Sequence, residues 1–224
     1  MATFVLVHGA WHGSWCWKRV RKNLQGLGHD VFTPTLTGVA DRLHLASRDV
    51  NLETHILDVA NLIQWEELSE VILCGHSYAG AVITGVADRV SGRLRSLVYL
   101  DAFIPEDDEN LIEYVPENLV DDWRVNPIPA ERFEVNVADR EWVDRQCTAQ
   151  PIGCWEERLH LMGPRFPGKH TAYIGAIGRS GDGGRFLKQL ESAKSLGWKT
   201  FTVSCGHDVM LDEPELLTDL LLAC

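Results

Sequence analysis

One ten-residue stretch, "VILCGHSYAG" at residues 71–80, constrains the fold of this chain more than any other. Four apolar residues lead into a run of small residues around a single serine, Ser77. A turn that only reverses the chain does not need so many small side chains, whereas a strand that ends in a strained turn and enters a helix at once does. Gly75-His76-Ser77-Tyr78-Ala79 therefore approximates the G-x-S-x-G pattern of a nucleophile elbow, with alanine as its last residue. A serine N-cap on an ordinary helix is the alternative, since short motifs also match by chance.

Strand and helix patterns alternate along the chain on both sides of this stretch. Short apolar runs bounded by glycine or proline predict strands, and the segments between them carry apolar residues at helical spacing. The predicted strands cover residues 3–9, 30–35, 70–75, 94–103, 170–177 and 198–204, and the predicted helices cover residues 14–29, 51–68, 78–90, 183–196 and 213–223. Strands separated by helices predict an α/β fold, with a mostly parallel six-stranded sheet and helices on both of its faces.

The segment from about residue 105 to residue 168 breaks this alternation. It is rich in proline and acidic residues, holds three tryptophans and shows no strong strand pattern. In an alternating α/β chain, an insert after one strand is expected to cover the carboxyl ends of the strands, where ligands bind. Disordered segments are poor in aromatic residues, which argues against a loose surface excursion. We therefore expect a single domain over residues 1–224, with an inserted helical cap at about 105–168.

Composition and charge limit the partners of this chain. A net charge of −11 argues against nucleic acid or an anionic membrane surface as a partner, because both repel an acidic protein. No span approaches the ~18 consecutive apolar residues of a transmembrane helix, and the N-terminus lacks a signal-peptide pattern. The six cysteines are scattered and show no metal-binding spacing. The sequence thus predicts a reduced, cytoplasmic protein with no metal and no cofactor, acting on a small molecule, with a homodimer left open.

Ser77 needs a base if it is a nucleophile, because a serine hydroxyl is weak until its proton is removed. In this type of fold the catalytic residues follow the chain order serine, acid, histidine. His207 is the one histidine after the last predicted strand, and it lies in a glycine-containing loop before the final helix. We therefore predict that His207 is the base, with an ordinary surface-loop histidine as the alternative.

Two aspartates compete for the role of the acid. Asp101 closes the fourth predicted strand, so its side chain is expected at the carboxyl end of the sheet, although aspartates there also cap loops. Asp182 follows the fifth strand, which is the commoner position for the acid, but it is embedded in glycines and could cap a helix. Asp208 is adjacent to His207, and a neighbouring residue cannot easily point at its ring. We expect Asp101 to be the acid and keep Asp182 as the alternative.

Backbone donors for an oxyanion are predicted at two positions. One is the N–H of Tyr78, the residue after the nucleophile, and the other is the N–H of Ala10 in the loop after the first strand. Trp11 and Phe103 are expected to line an apolar substrate pocket, which suits a hydrophobic acyl or aryl ester. His8 and His12 precede Ser77, in the wrong order for a base, so we expect them to hydrogen-bond their own loop.

Five segments together resemble the α/β-hydrolase superfamily, in particular its branch of plant methylesterases, plant hydroxynitrile lyases and small bacterial serine esterases. They are "FVLVHGAWHGSWCW", "GHDVFTPTLTG", "VILCGHSYAGAVITGVADRV", "LVYLDAFIPED" and "GHDVMLDEPELLTDLLL". The resemblance spans nearly the whole core, is weakest from about residue 106 to residue 184, and implies a serine esterase with a Ser77–His207 pair and oxyanion donors at Ala10 and Tyr78. Bacterial members with "YLDAF" often lack a carboxylate after the fifth strand, which supports Asp101, whereas this chain departs from them by having Asp182 there.

The same resemblance defines the rival functions. Hydroxynitrile lyases of this branch carry threonine at the position of Gly9 and lysine directly after the base, where this chain has Asp208. A negative charge there would oppose cyanide, so lyase activity is not expected. A lactone- or thioester-processing enzyme would use the same catalytic residues, and some members of the superfamily bind ligands without turning them over. We predict the hydrolysis of a small hydrophobic carboxylic ester.

Overall fold

The computed structural model describes residues 1–163, 170–178 and 184–224. Its strands are β1 (Thr3–Val7), β2 (Asp30–Phe32), β3 (Val71–His76), β4 (Leu94–Leu100), β5 (Val120–Asp121), β6 (Arg124–Val125), β7 (Gln150–Pro151), β8 (Thr171–Ala176) and β9 (Lys199–Val203). Its α-helices are α1 (Lys18–Gly26), α2 (Leu52–Trp65), α3 (Ala79–Val90), α4 (Arg140–Gln146), α5 (Gly153–Glu156), α6 (Gly184–Ser195), α7 (Val209–Asp212) and α8 (Pro214–Leu222). Six strands form one parallel sheet, as predicted, and their order is β2-β1-β3-β4-β8-β9.

The sheet separates two hydrophobic cores. Successive residues of a strand point to opposite faces, and in β1 Val5 and Val7 belong to one core while Phe4 and Leu6 belong to the other. Helices α2, α3 and α6 pack their buried residues into the first core, whereas α1 and α8 pack theirs into the second. Helices therefore cover both faces, and the carboxyl ends of all six strands reach the same edge of the sheet.

The helix boundaries follow local signals in the sequence. Asn51 caps α2 by accepting a hydrogen bond from the Thr54 backbone N–H at 3.0 Å, and the Thr54 hydroxyl accepts one from the Asn51 N–H at 3.3 Å. This reciprocal pair satisfies two N–H groups that a helix start would otherwise leave without partners. The cap fixes the start of α2 and so places His55, on its first turn, beneath the site described below.

The inserted segment contains more than the predicted helices. Besides helices α4 and α5, it holds short 3₁₀ turns and the three-stranded antiparallel sheet β5-β6-β7, which the sequence did not predict. Each of these strands has two residues, too few to show an alternating pattern. The segment lies against the loop after β1, where Trp11 Nε1 donates to the Val125 carbonyl at 3.0 Å and the Thr148 N–H donates to the Trp11 carbonyl at 3.0 Å.

Across the described residues, every helix is too short or too polar to cross a membrane.

Candidate active site

Ser77 lies between β3 and α3 in a strained backbone conformation. Its φ of 55° is in the left-handed region, which non-glycine residues rarely adopt. Its N–H donates to the Leu100 carbonyl at 3.2 Å, and its own carbonyl accepts from the Phe103 N–H at 3.2 Å. The turn is therefore bonded to the end of β4 on both sides, and these bonds hold the serine in a conformation it would not adopt alone.

The small residues around Ser77 are required by close packing. A Cβ at Gly80 would lie 1.9 Å from the Phe103 carbonyl oxygen, and one at Gly75 would lie 2.7 Å from the Ala79 carbonyl oxygen. A Cβ at Gly9 would lie 2.8 Å from His76 Nδ1. The first two contacts are with backbone atoms, which cannot move aside cheaply. Three glycines thus let β1, β3, α3 and the exit from β4 converge on the serine.

His207 is hydrogen-bonded to Asp101. Its Nδ1 lies 2.7 Å from Asp101 Oδ2, and since a carboxylate only accepts, Nδ1 carries the proton. The other carboxylate oxygen accepts from the Ala176 N–H at the end of β8, at 3.1 Å. Both partners are nearly fully buried, and Asp101 has a φ of 41°. Asp182, the alternative acid, lies outside the described residues.

The loop that carries His207 is held from several directions. The backbone N–H of His207 donates to the Phe133 carbonyl of the inserted segment at 2.9 Å, and the His207 carbonyl accepts from His76 Nε2 at 3.0 Å. The His207 imidazole contacts two aromatic rings, stacked on Phe186 at 4.8 Å and tilted against Phe133 at 5.0 Å between ring centroids. These contacts fix the ring plane, so Nε2 has a defined direction.

The loop after β1 is ordered by its own histidines, as the sequence predicts. His8 Nδ1 donates to the Gly9 carbonyl at 2.8 Å, and His8 Nε2 accepts from the Leu36 N–H at 3.0 Å, which makes the ring neutral. Burial lowers the pKa of His8 to about 3, in agreement with this. The Gly9 carbonyl and the Ala10 N–H belong to one peptide plane, so this hydrogen bond also fixes the direction of the Ala10 N–H.

Tyr78 is anchored by its phenol. The hydroxyl lies 3.0 Å from His55 Nδ1, while His55 Nε2 donates to the Thr37 carbonyl at 2.8 Å, so the phenol is the donor to Nδ1. Burial lowers the pKa of His55 and raises that of Tyr78 well above its usual value, which keeps both groups neutral. Among the described residues, no hydrogen bond uses the backbone N–H of Tyr78 or of Ala10.

Ser77 and His207 line the same cavity of about 610 Å³. Trp11 and Phe103, the two predicted pocket residues, lie in its wall. Trp155, one of the tryptophans of the inserted segment, also lines it, and further lining residues that the sequence did not identify include Tyr114, Leu119, Ile128, Phe133, Arg185 and Phe186. For the aromatic residues among them the only signal was the aromatic content of the inserted segment and of the helix before the last strand, and sequence spacing alone does not show which of these rings turn inward.

Asp208 does not face this cavity, which corrects one sequence argument. Its carboxylate is fully buried and lies 3.1 Å from His12 Nε2 and 3.8 Å from His76 Nε2. The sequence argument placed this charge in the pocket, and that placement is wrong, because Asp208 does not line the cavity and is paired with His12. Ring nitrogens and carboxylate oxygens of His76, His207 and Asp208 approach within 4.8 Å of one another, close enough to hold a metal ion. A metal there would compete with the hydrogen bonds of His207 to Asp101 and of His76 to the His207 carbonyl.

Comparisons with known proteins agree with this architecture. A match to the alpha/beta hydrolase family covers residues 4–220. A carbendazim hydrolyzing esterase from Nocardioides sp. (strain SG-4G) is 44% identical, over 100% of this chain and 99% of that protein. Methylesterase 4 from Arabidopsis thaliana is 32% identical, over 78% of this chain and 61% of that protein.

A solved structure gives the same result at the level of the fold. An extracellular alpha/beta-hydrolase from a Paenibacillus species, described as sharing structural and functional homology with tobacco Salicylic Acid Binding Protein 2, superposes with a TM-score of 0.84 at 26% identity. The superposition covers 100% of this chain and 98% of that one. The resemblance found in the sequence is thus confirmed, and the chain belongs to the alpha/beta hydrolase family.

Proposed function

We propose that this enzyme hydrolyses small hydrophobic carboxylic esters through an acyl-enzyme on Ser77, with His207 as the base and Asp101 as the carboxylate that orients it. The observation that carries the proposal is the 2.7 Å hydrogen bond between His207 Nδ1 and Asp101, beside the cavity that Ser77 also lines. The strained turn at Ser77 acts as a nucleophile elbow. The names of the two relatives above, an esterase and a methylesterase, agree with ester hydrolysis.

The hydrogen bonds support the following role for each group. Because Nδ1 of His207 carries a proton, Nε2 is the acceptor that takes the Ser77 proton as Oγ attacks the ester carbonyl carbon. The carbonyl oxygen becomes an oxyanion, to which the N–H groups of Ala10 and Tyr78 donate. Collapse of this intermediate expels the alkoxide, which takes the proton from Nε2, and water then attacks the acyl-enzyme with His207 again as the base.

The cavity walls favour an aromatic substrate of modest size. Trp11, Phe103, Phe133, Trp155 and Phe186 present ring surface to a volume of about 610 Å³, which is within the range of small-molecule sites. Residues from about 105 to 163 act as the cap that closes this volume, since several of them line it. We infer that methyl or short-acyl aryl esters fit, and carbendazim, named for the relative at 44% identity, is a further candidate. The cytoplasmic location and the homodimer stay predictions.

Cyanohydrin cleavage is disfavoured at Gly9. The lyases of this branch place a threonine there, but a Cβ at Gly9 would lie 2.8 Å from His76 Nδ1 and 3.0 Å from Ser77 Cβ. A hydroxyl-bearing side chain therefore does not fit there unless His76 moves and Ser77 shifts slightly. This contact replaces the charge of Asp208 as the argument against a lyase.

A substrate panel tests the reaction type. Wild-type protein and Ser77→Ala are assayed on p-nitrophenyl butyrate, methyl benzoate, carbendazim, a lactone, a thioester and mandelonitrile. We expect Ser77-dependent hydrolysis of at least one ester and no cyanide release above background. Ser77-dependent cyanide release without ester hydrolysis would contradict the proposal, and binding of the esters without any turnover would identify a ligand-binding member of the family.

A further inference from the structure

Behind the cavity, the loop after β1 and the loop after β9 are joined by a buried pair of side chains. His12 Nε2 lies 3.1 Å from Asp208 Oδ2, and the two side chains are 3% and 0% exposed. Asp208 directly follows His207, and His12 lies two residues beyond Ala10. The pair therefore connects the segment that carries the base to the segment that carries one proposed oxyanion donor.

The hydrogen-bond partners fix the charge of His12. Its Nδ1 lies 2.7 Å from the Ala10 carbonyl oxygen, which can only accept, and its Nε2 faces a carboxylate, which also only accepts. Both ring nitrogens must then carry protons, so His12 is an imidazolium paired with an ionised Asp208. Burial acts to lower the pKa of His12, but interactions with Cys147 and Asp208 raise it well above its usual value. For Asp208, burial acts to raise the pKa, but the attraction to His12 outweighs burial and holds the pKa well below its usual value.

The hydrogen bond from His12 to the Ala10 carbonyl connects this ion pair to the residue that carries a proposed oxyanion donor. The carbonyl of the Ala10–Trp11 peptide accepts from His12, and the N–H of the same peptide donates to Gln150 Oε1 at 3.1 Å. With both ends of that peptide held, the Ala10–Trp11 side of Ala10 is fixed, while the His8 hydrogen bond to the Gly9 carbonyl holds the peptide that contains the Ala10 N–H. The two sets of bonds together fix the direction of that N–H. Trp11 has a φ of 64°, a conformation that needs such support.

We propose, resting on the function proposed above, that His12 is a positioning residue that aims the Ala10 N–H at the oxyanion, with Asp208 holding His12 in place. Neither side chain is among the residues that line the cavity, so neither touches the substrate. His76 completes the connection, since its Nε2 donates to the His207 carbonyl while it precedes Ser77 in the chain. The nucleophile turn, the base loop and the donor loop are thereby fixed to one another from behind.

The test separates positioning from stability. In His12→Phe a phenyl ring that can still stack on Trp15 replaces the imidazole. Both ring N–H donors are lost, and Asp208 is left buried without its counter-charge. With p-nitrophenyl butyrate we expect kcat to fall roughly ten- to a hundredfold with KM nearly unchanged, because outright loss of an oxyanion donor costs about 10²–10³. Asp208→Asn alone should lose less, since a neutral His12 can still donate Nδ1 to Ala10.

The double variant His12→Phe/Asp208→Asn gives the decisive comparison. It removes the unpaired carboxylate, so its melting temperature should recover relative to His12→Phe while kcat stays low. Recovery of kcat together with stability would show a merely structural role and overturn the proposal. Val20→Ala, a buried change on α1 at a residue that does not line the cavity, should lose stability and keep kcat.

Two further measurements keep the proposal testable. If Ser77→Ala remains active on the same ester, the proposed function fails and this inference with it, whereas an inactive Ser77→Ala beside a fully active His12→Phe overturns the inference alone.

Should His12→Phe not fold, ¹⁵N NMR of the wild-type protein tests whether His12 is charged. We expect both His12 ring nitrogens to remain protonated at about pH 8, well above the ordinary histidine pKa of about 6.5. A neutral His12 ring at that pH would contradict the ion pair.

Discussion

At the scale of single residues, the environment of each histidine decides what it can do. His207 has a carboxylate on Nδ1 and a cavity beyond its ring, which suits a base. His8 and His55 are neutral because each has one nitrogen on a carbonyl and the other on a donor. His12 has acceptors on both nitrogens and is cationic. The sequence indicated which histidine follows the last strand, but it could not show hydrogen-bond partners that come from distant loops.

The first prediction separates the two candidate acids. In Asp101→Asn the side-chain oxygen can still accept from the Ala176 N–H, so the amide nitrogen faces His207 and forces the proton onto Nε2. Nε2 can then no longer accept from Ser77, and we expect kcat to fall by about 10⁴, as the same change does in a well-studied triad protease. Asp182→Asn should cost little. A large loss in Asp182→Asn beside a small one in Asp101→Asn would assign the acid to Asp182.

At the scale of elements, the site depends on how closely α3 approaches the exit from β4. The first turn of α3 touches the backbone at Phe103, and only a glycine at position 80 allows that approach. Helix α1 offers the opposite case, because a Cβ at Gly26 would meet nothing within 4 Å. The same substitution thus has opposite consequences on two helices of one protein.

The second prediction compares these two glycines. Gly80→Ala should destabilise the protein by roughly 1–3 kcal/mol, the usual cost of overpacking, and should lower kcat because Phe103 is bonded to Ser77. Gly26→Ala should be neutral or stabilising by about 0.5–1 kcal/mol, as alanine loses less entropy on forming a helix. Urea unfolding and ester turnover measure both effects. Equal behaviour of the two variants would show that the close approach is absent in solution.

At the scale of the whole molecule, much of the architecture could be predicted from the sequence. Apolar runs bounded by glycine and proline located all six strands of the parallel sheet, and the helices between them begin and end within a few residues of the prediction. The sheet β5-β6-β7 was missed because two-residue strands carry no period. The buried side of Asp208 was missed because its partner, His12, is 196 residues away in the chain.

The third prediction concerns the pH dependence of stability. Burial lowers the pKa of His8, His55 and His76, so these rings stay neutral in the folded protein while the unfolded chain binds protons below about pH 6.5. The contribution of these neutral rings to the free energy of unfolding is present above that pH. It is lost as the pH falls towards the pKa in the folded protein, which is about 3 for His8. His12 has the opposite sign, because its raised pKa gives stability that is lost as the pH rises through the folded value.

The free energy of unfolding should therefore be greatest near neutral pH and fall on the acid side. Each neutral buried histidine contributes up to about 1.4 kcal/mol per pH unit to this slope. Urea unfolding at a series of pH values measures this slope. His8→Asn should flatten it by the share of one histidine, which corresponds to about one proton fewer taken up on unfolding. A stability that is independent of pH on the acid side would contradict the assignment of these rings as neutral.

The most direct measurement of the central claim is covalent labelling of the nucleophile. The protein is treated with a fluorophosphonate, and its intact mass, its peptide map and its residual ester hydrolysis are followed together. We expect one adduct per chain, located on Ser77, forming in step with the loss of activity. Ser195→Ala, a change on the exposed face of α6, should label and hydrolyse like the wild type, while Ser77→Ala should do neither. An adduct on another residue, or hydrolysis that persists in Ser77→Ala, would contradict the account.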